Sequence, residues 1–419
     1  MIRAGTSEPA ESVPHASIRR EHRKRRRPGF ASDTFFHAAV QEMEAIGLRV
    51  RPLPHPGSAP YGVLSGRTGS RFFLLPARPR AVSTGSLALV QPVRLAPRAV
   101  KGLATVAVRL GLAGLLPHKV HVSGAGDFAR LVDARARHGA FLTGTPGPHR
   151  KLSVQLMDDA GHIQAYAKVS LVPAVQALLQ REAEVLRLLA VMGLRTAWLP
   201  CVLRSEVRGG TAILATNAVR TCTARCLSDL DALHLDFLDE LAACTASAWA
   251  RSGAWLLAEW CARIERLRAH LAPPWRERLD RAVAILSAEP ALVSSSGLAH
   301  GDFTPVNSFR QDNRLCVFDW EYAGAAYPGD HDLICLLDAV ARLGGVRPDE
   351  AAELLERRLV RELGRSPAEA NRRLIAFYCV QALRGAERQP PPVGTILSWC
   401  GADEAARTLD ALLARASGP

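Results

Sequence analysis

The sequence predicts an α+β fold of two lobes that follow a small N-terminal α/β extension. Short β-like stretches separated by glycine and proline, together with one strongly periodic helix, fill residues 123–218. Helical periodicity dominates residues 219–419. A chain of 419 residues is long enough to bury two or three cores. We therefore predict a small antiparallel β-sheet lobe with one main helix, followed by a larger, mostly helical lobe.

The net charge of +13 is concentrated near the N-terminus. Seven arginine and lysine residues lie between positions 19 and 27, in a stretch with almost no apolar side chains. Blocks of like charge are commonly solvated and disordered, so residues 1–31 are predicted to be a disordered basic tail. The alternative is an arm that binds RNA or an anionic membrane. We favour the tail and expect no nucleic-acid partner.

The composition also limits the compartment. No run of about 18 uninterrupted apolar residues occurs, so we expect no membrane span. The first 31 residues lack the apolar core of a secretory signal. The nine cysteines are an odd number, all lie beyond residue 200, and none forms a CxxC pair. Reduced thiols in a cytoplasmic protein without structural zinc are therefore expected.

Residues 32–122 are predicted to form a small α/β extension. Their sequence does not indicate its role. Asp33 is a candidate cap for a first helix, which Gly47 would end. The elements expected after it are strands at 48–53, 71–77 and 86–95 and helices at 97–116 and 127–136, the last of these capped by Asp127.

A glycine-containing hairpin is predicted at residues 139–158. Gly144 and Gly147, with Pro146 and Pro148, form its turn. Such a turn can lay backbone N–H groups over phosphates, because no Cβ blocks the approach. The spacing is not GxGxxG, and an ordinary hairpin is the alternative.

Lys168 lies in an alternating strand, residues 162–171, and Glu182 follows fourteen residues later in a periodic helix that Gly193 ends. A strand lysine paired to a helix glutamate is the arrangement by which kinases hold the α- and β-phosphates of ATP. Glu184 is a competing partner, although it lies on a different face of the helix.

The next strands, at about 201–207 and 211–219, lead into the linker between the lobes. There Asn217 is predicted to lie near the polar edge of an adenine ring. The helices expected beyond the linker are 229–249, 255–270, 274–287, 331–343, 349–363, 367–383 and 402–416, with a proline loop at 390–392.

The stretch Leu298–Glu321 carries the chemistry. It reads LAHGDFTPVNSFRQDNRLCVFDWE, with Asn307 five residues after Asp302 and Asp319 behind a short apolar run. In phosphoryl transfer from Mg·ATP, the first Asp accepts the proton of the acceptor hydroxyl. The Asn and the second Asp hold the metal ions that neutralise the phosphates. The stretch therefore predicts a small-molecule kinase that uses ATP and Mg²⁺.

The motif HGDFTPVN with FDWE downstream resembles the aminoglycoside phosphotransferase and choline kinase group of the protein-kinase-like fold. The resemblance covers residues 125–400, in the order glycine turn, AKV strand, RE helix, linker, HGD loop and DWE. It implies a two-lobed protein-kinase-like fold.

The resemblance also implies roles for individual residues. Asp302 would be the catalytic base, and Asn307 and Asp319 would coordinate Mg²⁺. Lys168, held by Glu182, would contact the phosphates of ATP. Three further residues would support the site without taking part in the chemistry: His300, Glu321 and Asp332.

The loop departs from the family pattern at three positions. Val306 stands where a small residue is common, and Phe303 and Thr304 replace more typical residues near the acceptor. None of these removes a group that the reaction needs, so we favour an active enzyme over a non-catalytic kinase-like binding module.

The acceptor is the least determined part of the prediction. Acidic and basic residues are nearly balanced beyond Asp330, which argues weakly against a polycationic aminoglycoside. Sugars, amino alcohols and other hydroxyl compounds stay open, as do the choice between ATP and GTP and the oligomeric state.

Overall fold

The computed structural model describes residues 33–65, 71–89, 95–112, 116, 118–145, 147–220, 224–388 and 401–416. The predicted basic tail, Pro146 and the proline loop at 390–392 lie outside the described residues. In the described part of the chain, none of the helices combines the length and the apolar character that crossing a membrane requires.

A nine-stranded antiparallel sheet occupies the N-terminal half. Its strands are β1 (Arg49–Arg51), β2 (Ala59–Ser65), β3 (Phe72–Pro76), β4 (Lys119–Ser123), β5 (His138–Leu142), β6 (Leu152–Met157), β7 (Ile163–Ser170), β9 (Val202–Arg208) and β10 (Thr211–Asn217), and β8 (Ala197–Trp198) belongs to a smaller sheet. The order in the large sheet is β1-β4-β2-β3-β5-β6-β7-β10-β9.

The pairing of β3 with β5 joins the N-terminal extension to the lobe that follows it. Phe73 is opposite Leu142, and Leu74 is opposite Phe141. Leu74 and Phe141 are both fully buried and belong to one hydrophobic core, which also contains residues of β1, β6 and β10. The two segments therefore share a sheet and a core.

The helices of this half are α1 (Thr34–Ala45), α2 (Arg80–Ser86), α3 (Leu95–Arg109), α4 (Ala125–Val132) and α5 (Pro173–Met192). The Asp33 carboxylate caps α1 by accepting from the backbone N–H groups of Phe35 and Phe36. Gly193 ends α5 in the left-handed conformation, with φ of 66°. The cap and the stop agree with the sequence prediction.

Two predictions for this half are wrong. The segment 86–95 was expected to be a strand, but its described part begins as the end of α2 and continues as a 3-10 turn, Leu87–Leu89. Val82 and Leu87 pack there against Leu75 and Met157 of the sheet. A short apolar run fits either periodicity, and burial against the sheet selects the helical one.

The second error concerns the cap of α4. Gly124, with φ of 82°, stands at the N-cap, and Asp127 lies inside the first turn, where it pairs with Arg130. The strand β2 was not anticipated, because Pro60 and Gly62 interrupt its apolar pattern.

The C-terminal half is helical, as predicted. Its helices are α6 (Ala232–Trp249), α7 (Gly253–Leu267), α8 (Pro273–Ser287), α9 (His331–Leu343), α10 (Pro348–Leu363), α11 (Pro367–Glu387) and α12 (Ala402–Ala416). A small sheet of β8, β11 (Arg225–Cys226), β12 (Ser308–Gln311) and β13 (Arg314–Val317) carries the stretch predicted to hold the chemistry. The loops on either side of β12 and β13 therefore face the large sheet.

Candidate active site

The loop His300–Asp302 is fixed from inside by the His300 ring, which is fully buried. Its Nδ1 accepts from the Asp302 backbone N–H at 3.2 Å, and its Nε2 donates to the Phe318 carbonyl at 3.1 Å. These partners require a neutral imidazole with its proton on Nε2. His300 thus ties the loop of Asp302 to the segment that leads into Asp319.

Asp332, near the start of α9, holds the same loop from the other side. Its carboxylate accepts from the backbone N–H groups of His300 at 2.6 Å and Gly301 at 2.9 Å. Burial raises the pKa of the Asp332 carboxyl, and the hydrogen bonds from the His300 and Gly301 backbone oppose the rise. The Arg384 guanidinium donates to the Gly301 carbonyl. The three N–H groups of the loop and the Gly301 carbonyl are therefore all held.

Asp302 and Asn307 are in direct contact. The Asn307 Nδ2 donates to the Asp302 Oδ2 at 3.0 Å and to the Asp302 carbonyl at 2.9 Å. These bonds orient the side chain so that its Oδ1 points away from Asp302, and no donor among the described residues contacts that oxygen. Asn307 is 6% exposed. An amide oxygen without a protein donor can coordinate a cation.

Lys168 lies between two carboxylates. Its Nζ is 2.6 and 2.5 Å from the two oxygens of Glu182 on α5, and 2.5 Å from the Asp319 Oδ1. Glu182 is buried, whereas Glu184 is exposed. The structure thus brings Lys168 together with Glu182 and not with the competing partner.

Asp319 is held ionised by the charges around it. Burial acts to raise the pKa of its carboxyl, but the ammonium groups of Lys151 and Lys168 outweigh burial and hold that pKa well below its ordinary value. Burial acts to lower the pKa of Lys168, and Asp319 and Glu182 outweigh it and raise that pKa above the usual range. Asp319 has φ of 73°, an unusual conformation for a residue with a side chain.

Lys151 is a site residue that the sequence did not identify. Its Nζ contacts the Glu321 carboxylate and lies 3.5 Å from the Asp319 Oδ1. It follows the glycine turn directly, but a lysine ahead of a strand carries no distinguishing spacing. The buried Glu321 carboxylate, on a residue 5% exposed, is therefore bound by Lys151.

The glycine turn lies over this group. Gly144 has φ of 80°, and a Cβ there would be 2.3 Å from the Lys151 carbonyl, so only glycine closes the hairpin without a clash. A Cβ on Gly147 would meet no atom within 4 Å. His149 connects this turn to the helical lobe, since its Nδ1 is 2.9 Å from the Tyr322 hydroxyl.

A cleft of about 500 Å³ opens between the turn and the loop of Asp302. The residues that line it are Arg71, Leu142, Gly144, Thr145, Gly147, Pro148, His149, Lys151, Ser153, Asp302, Asp319, Glu321, Tyr322, Gly385 and Arg388. The predicted residues Asp302, Asp319, Gly144 and Gly147 thus share one cleft. Arg71 and Arg388, like Lys151, were not anticipated, because they are far from the motif in sequence.

Asn217 lies apart from this cleft. It ends β10, and its Oδ1 accepts from the Cys201 backbone N–H at 2.6 Å.

Phe303 also lies elsewhere than expected, since it is fully buried and stacks on Phe237 with ring centroids 5.4 Å apart. The departure at Phe303 therefore affects the core of the helical lobe. Val306, which also differs from the family pattern, is 42% exposed and faces outward.

Comparison with known proteins identifies the class. Residues 147–374 match the family described as the phosphotransferase enzyme family (APH). The match spans more than half of the chain, which therefore belongs to this family. The predicted family and the predicted two-lobed, protein-kinase-like fold are confirmed. No curated protein matches the chain.

Several solved structures are similar to the chain at low identity. A thermostable mutant of aminoglycoside phosphotransferase APH(4)-Ia, in ternary complex with ADP and hygromycin B, is 14% identical over 71% of this chain and 100% of that chain, with a TM-score of 0.49. ADP-bound aminoglycoside phosphotransferase APH(2'')-Ib is 18% identical over 65% and 90%, with a TM-score of 0.41. The amicoumacin kinase hAmiN, in complex with AMP-PNP, Ca²⁺ and Ami, is 15% identical over 63% and 86%, with a TM-score of 0.33.

Proposed function

We propose that the protein transfers the γ-phosphate of ATP to a hydroxyl group of a small molecule. The observation that carries the proposal is the cleft between the lobes, which Asp302 and Asp319 line, with Asn307 bound to Asp302 and Lys168 bound to Asp319. The lysine and glycine turn come from the sheet, and the carboxylates and amide come from the helical lobe. This division is what holding a nucleotide between two lobes requires.

Asp302 is the proposed catalytic base. It is half-buried at the cleft, and Asn307 holds one of its carboxylate oxygens at 3.0 Å, so the other oxygen is available to an acceptor hydroxyl. Around it, His300 and Asp332 fix the loop, and Glu321 anchors Lys151.

Lys168 is the proposed ligand of the α- and β-phosphates, held in place by Glu182. The turn with Gly144 and Gly147 is proposed to place its backbone N–H groups over the phosphates. Asn217 is proposed to lie beside the adenine edge, with its side chain and its backbone N–H both bound to the Cys201 backbone.

Asn307 and Asp319 are proposed to hold Mg²⁺, and their chemistry fits. The Asn307 Oδ1 and the ionised Asp319 carboxylate are hard oxygen donors of the kind that Mg²⁺ prefers. The carboxylate oxygens of Glu182, Asp319 and Glu321 also lie within 4.8 Å of one another, but Lys168 and Lys151 already pair with this group and leave it a single negative charge. When bound, Mg²⁺ would neutralise negative charge on the transferred phosphate.

The proposed cellular compartment rests on the state of the cysteine thiols. The seven cysteines in the described part of the chain are all free, and two of them are exposed in the helical lobe at Cys244 and Cys261. Free thiols persist in a reducing compartment, so we place the reaction in the cytoplasm.

The test is phosphate transfer from ATP or GTP to a panel of sugars, amino alcohols, hydroxy acids and aminoglycosides, with Asp302→Asn as the key variant. Loss of a general base is expected to lower kcat by about 10²–10⁴-fold. The affinity for Mg·AMP-PNP should change little, because Asn keeps the shape of Asp302. Wild-type rates in Asp302→Asn would contradict the assignment. A wild-type protein that binds Mg·AMP-PNP but transfers phosphate to no acceptor would indicate a non-catalytic binding module.

A further inference from the structure

Two arginines at the end of α11 have no carboxylate partner among the described residues, and one of them, Arg388, lines the cleft. Arg388, the C-cap residue of α11, lies over the Tyr322 ring at 4.4 Å, and its buried Nε has no hydrogen-bond partner. Arg384, one turn earlier, is 7% exposed and donates one nitrogen to the Gly301 carbonyl, while its other terminal nitrogen is buried without a partner. Neither forms a salt bridge with any described residue.

A third arginine reaches the cleft from the N-terminal extension. Arg71 precedes β3, and its guanidinium donates to the Thr145 hydroxyl in the glycine turn. Burial lowers the pKa of Arg71, and no carboxylate among the described residues offsets this effect. The extension thus contributes a cation to the wall of the candidate active site.

The acidic residues of the cleft do not pair with these arginines. Three carboxylates line the cleft, but Glu321 contacts Lys151, Asp319 contacts Lys151 and Lys168, and Asp302 contacts Asn307. The neighbouring His149 also responds to the positive charges. Burial, followed by the charges of Arg388, Lys151 and Arg384, lowers the pKa of His149 to about 4.

Unpaired guanidinium groups in a partly buried cleft are costly unless an anion completes them. A guanidinium presents its N–H groups as a planar fork that matches a carboxylate or a phosphate. The same charge repels a polycation. We infer that the acceptor carries an anionic group, a carboxylate or a phosphate ester, and that Arg388 binds this group with Arg71 as the second cation of the cleft. The inference rests on the proposed function, since it concerns the acceptor of that reaction.

One other source could supply the anionic oxygens, namely the terminal phosphate of the nucleotide. Binding measurements separate the two sources. Isothermal titration calorimetry would follow inorganic phosphate, D-glycerate and glycerol binding to the full-length protein, first alone and then saturated with Mg·AMP-PNP. We expect phosphate and D-glycerate to bind the nucleotide-loaded protein and glycerol not to bind.

Variants locate the binding site. Arg388→Gln should weaken D-glycerate binding to the loaded protein by at least about tenfold, the usual effect of losing a hydrogen bond to a charged group. Arg71→Gln should weaken it less, and Arg388→Lys should retain part of the affinity. Arg208→Gln, an exposed arginine at the β9–β10 turn, is the matched control and should bind as the wild type does.

Two results would overturn the inference. One is anion binding to the free protein that Mg·AMP-PNP abolishes, because the arginines would then serve the nucleotide. The other is unchanged binding in Arg388→Gln when its thermal unfolding shows an intact fold.

Turnover separates this inference from the proposed function. We expect higher kcat/KM for D-glycerate than for glycerol and for D-gluconate than for D-glucose, with Arg388→Gln raising KM for the acid at least about tenfold and KM for ATP less than about twofold. Preference for neutral acceptors or for kanamycin would overturn the inference and leave the proposed function standing. Arg388-dependent anion binding without any turnover would overturn the proposed function and leave the anion site standing.

Discussion

Gly301 shows how a single backbone position determines the geometry of the candidate active site. Its φ is 81°, and a Cβ there would lie 2.5 Å from the Tyr322 carbonyl and 2.7 Å from the Tyr327 hydroxyl. Its N–H and C=O groups are bound by Asp332 and Arg384. The close approach of the Tyr322 backbone, and with it the wall of the cleft, therefore depends on the absence of a side chain.

Gly301→Ala is expected to lower the free energy of unfolding by about 2–4 kcal/mol, since it combines left-handed strain with a backbone clash. Phosphate transfer should fall with it, because Asp302 is the next residue. Gly209→Ala is the control: Gly209 has φ of 56°, and a Cβ there meets no atom within 4 Å. It should cost about 1 kcal/mol and leave transfer unaffected. Urea unfolding and an ATP turnover assay provide the comparison, and equal effects of the two variants would contradict it.

At the scale of elements, α1 supports the glycine turn. The Arg150 guanidinium in the turn is 2.8 Å from the Glu42 carboxylate on α1, with the two side chains only 8% and 1% exposed. Arg150 also donates to the Thr143 carbonyl at 3.2 Å. Burial raises the pKa of Glu42, and the charge of Arg150 opposes the rise. An element of the extension thus fixes the shape of the turn that lies over the cleft.

Glu42→Gln leaves the Arg150 charge buried without its partner, and we expect it to destabilise the protein by about 3–5 kcal/mol. The KM for ATP should rise, because the turn loses its support. Glu44→Gln is the control, because Glu44 on the same helix forms an exposed ion pair with Arg51. The Arg51 side chain is 54% exposed and the Glu44 side chain is 40% exposed. Its effect should stay below about 1 kcal/mol. Chemical denaturation with steady-state kinetics measures both, and a Glu42→Gln protein as stable as Glu44→Gln would refute the role of α1.

At the scale of the whole molecule, the large sheet joins the N-terminal extension to the first lobe. We predicted the extension at 32–122 and the first lobe at 123–218, and we keep this division as a proposal about the chain. Across it, β3 pairs with β5, and Leu74 and Phe141 share a core. Arg71 and α1 then reach the cleft from the extension. Neither segment covers its own apolar surface without the other.

Deletion of residues 1–122 is therefore expected to abolish cooperative folding. It removes β3, one of the two sheet partners of β5, and exposes Phe141, and each large apolar side chain brought into water costs about 1.5–3 kcal/mol. The purified fragment 123–419 should show no cooperative thermal transition by circular dichroism, whereas the full chain should. A fragment that unfolds cooperatively near the midpoint of the full chain would show that the extension is an independent unit.

The sequence alone determined the contacts within the motif. Asp302 and Asn307 lie five residues apart in one loop, and their contact at 3.0 Å is a local consequence of the chain. The helices of the second lobe were predictable for a similar reason, because their periodic apolar residues specify a buried face within each helix. The pairing of Lys168 with Glu182 followed from the order of a strand and a helix.

The tertiary structure decided the charge of the cleft. Arg71, Lys151 and Arg388 line it together through strand pairing and helix packing between segments that are far apart in the sequence. Packing likewise made residues 80–89 helical, since burial of Val82 against the sheet outweighed an ambiguous local pattern. Local sequence specifies which groups are available for chemistry, whereas long-range contacts decide which charges remain unpaired, because electrostatic balance depends on every neighbour within a few ångströms.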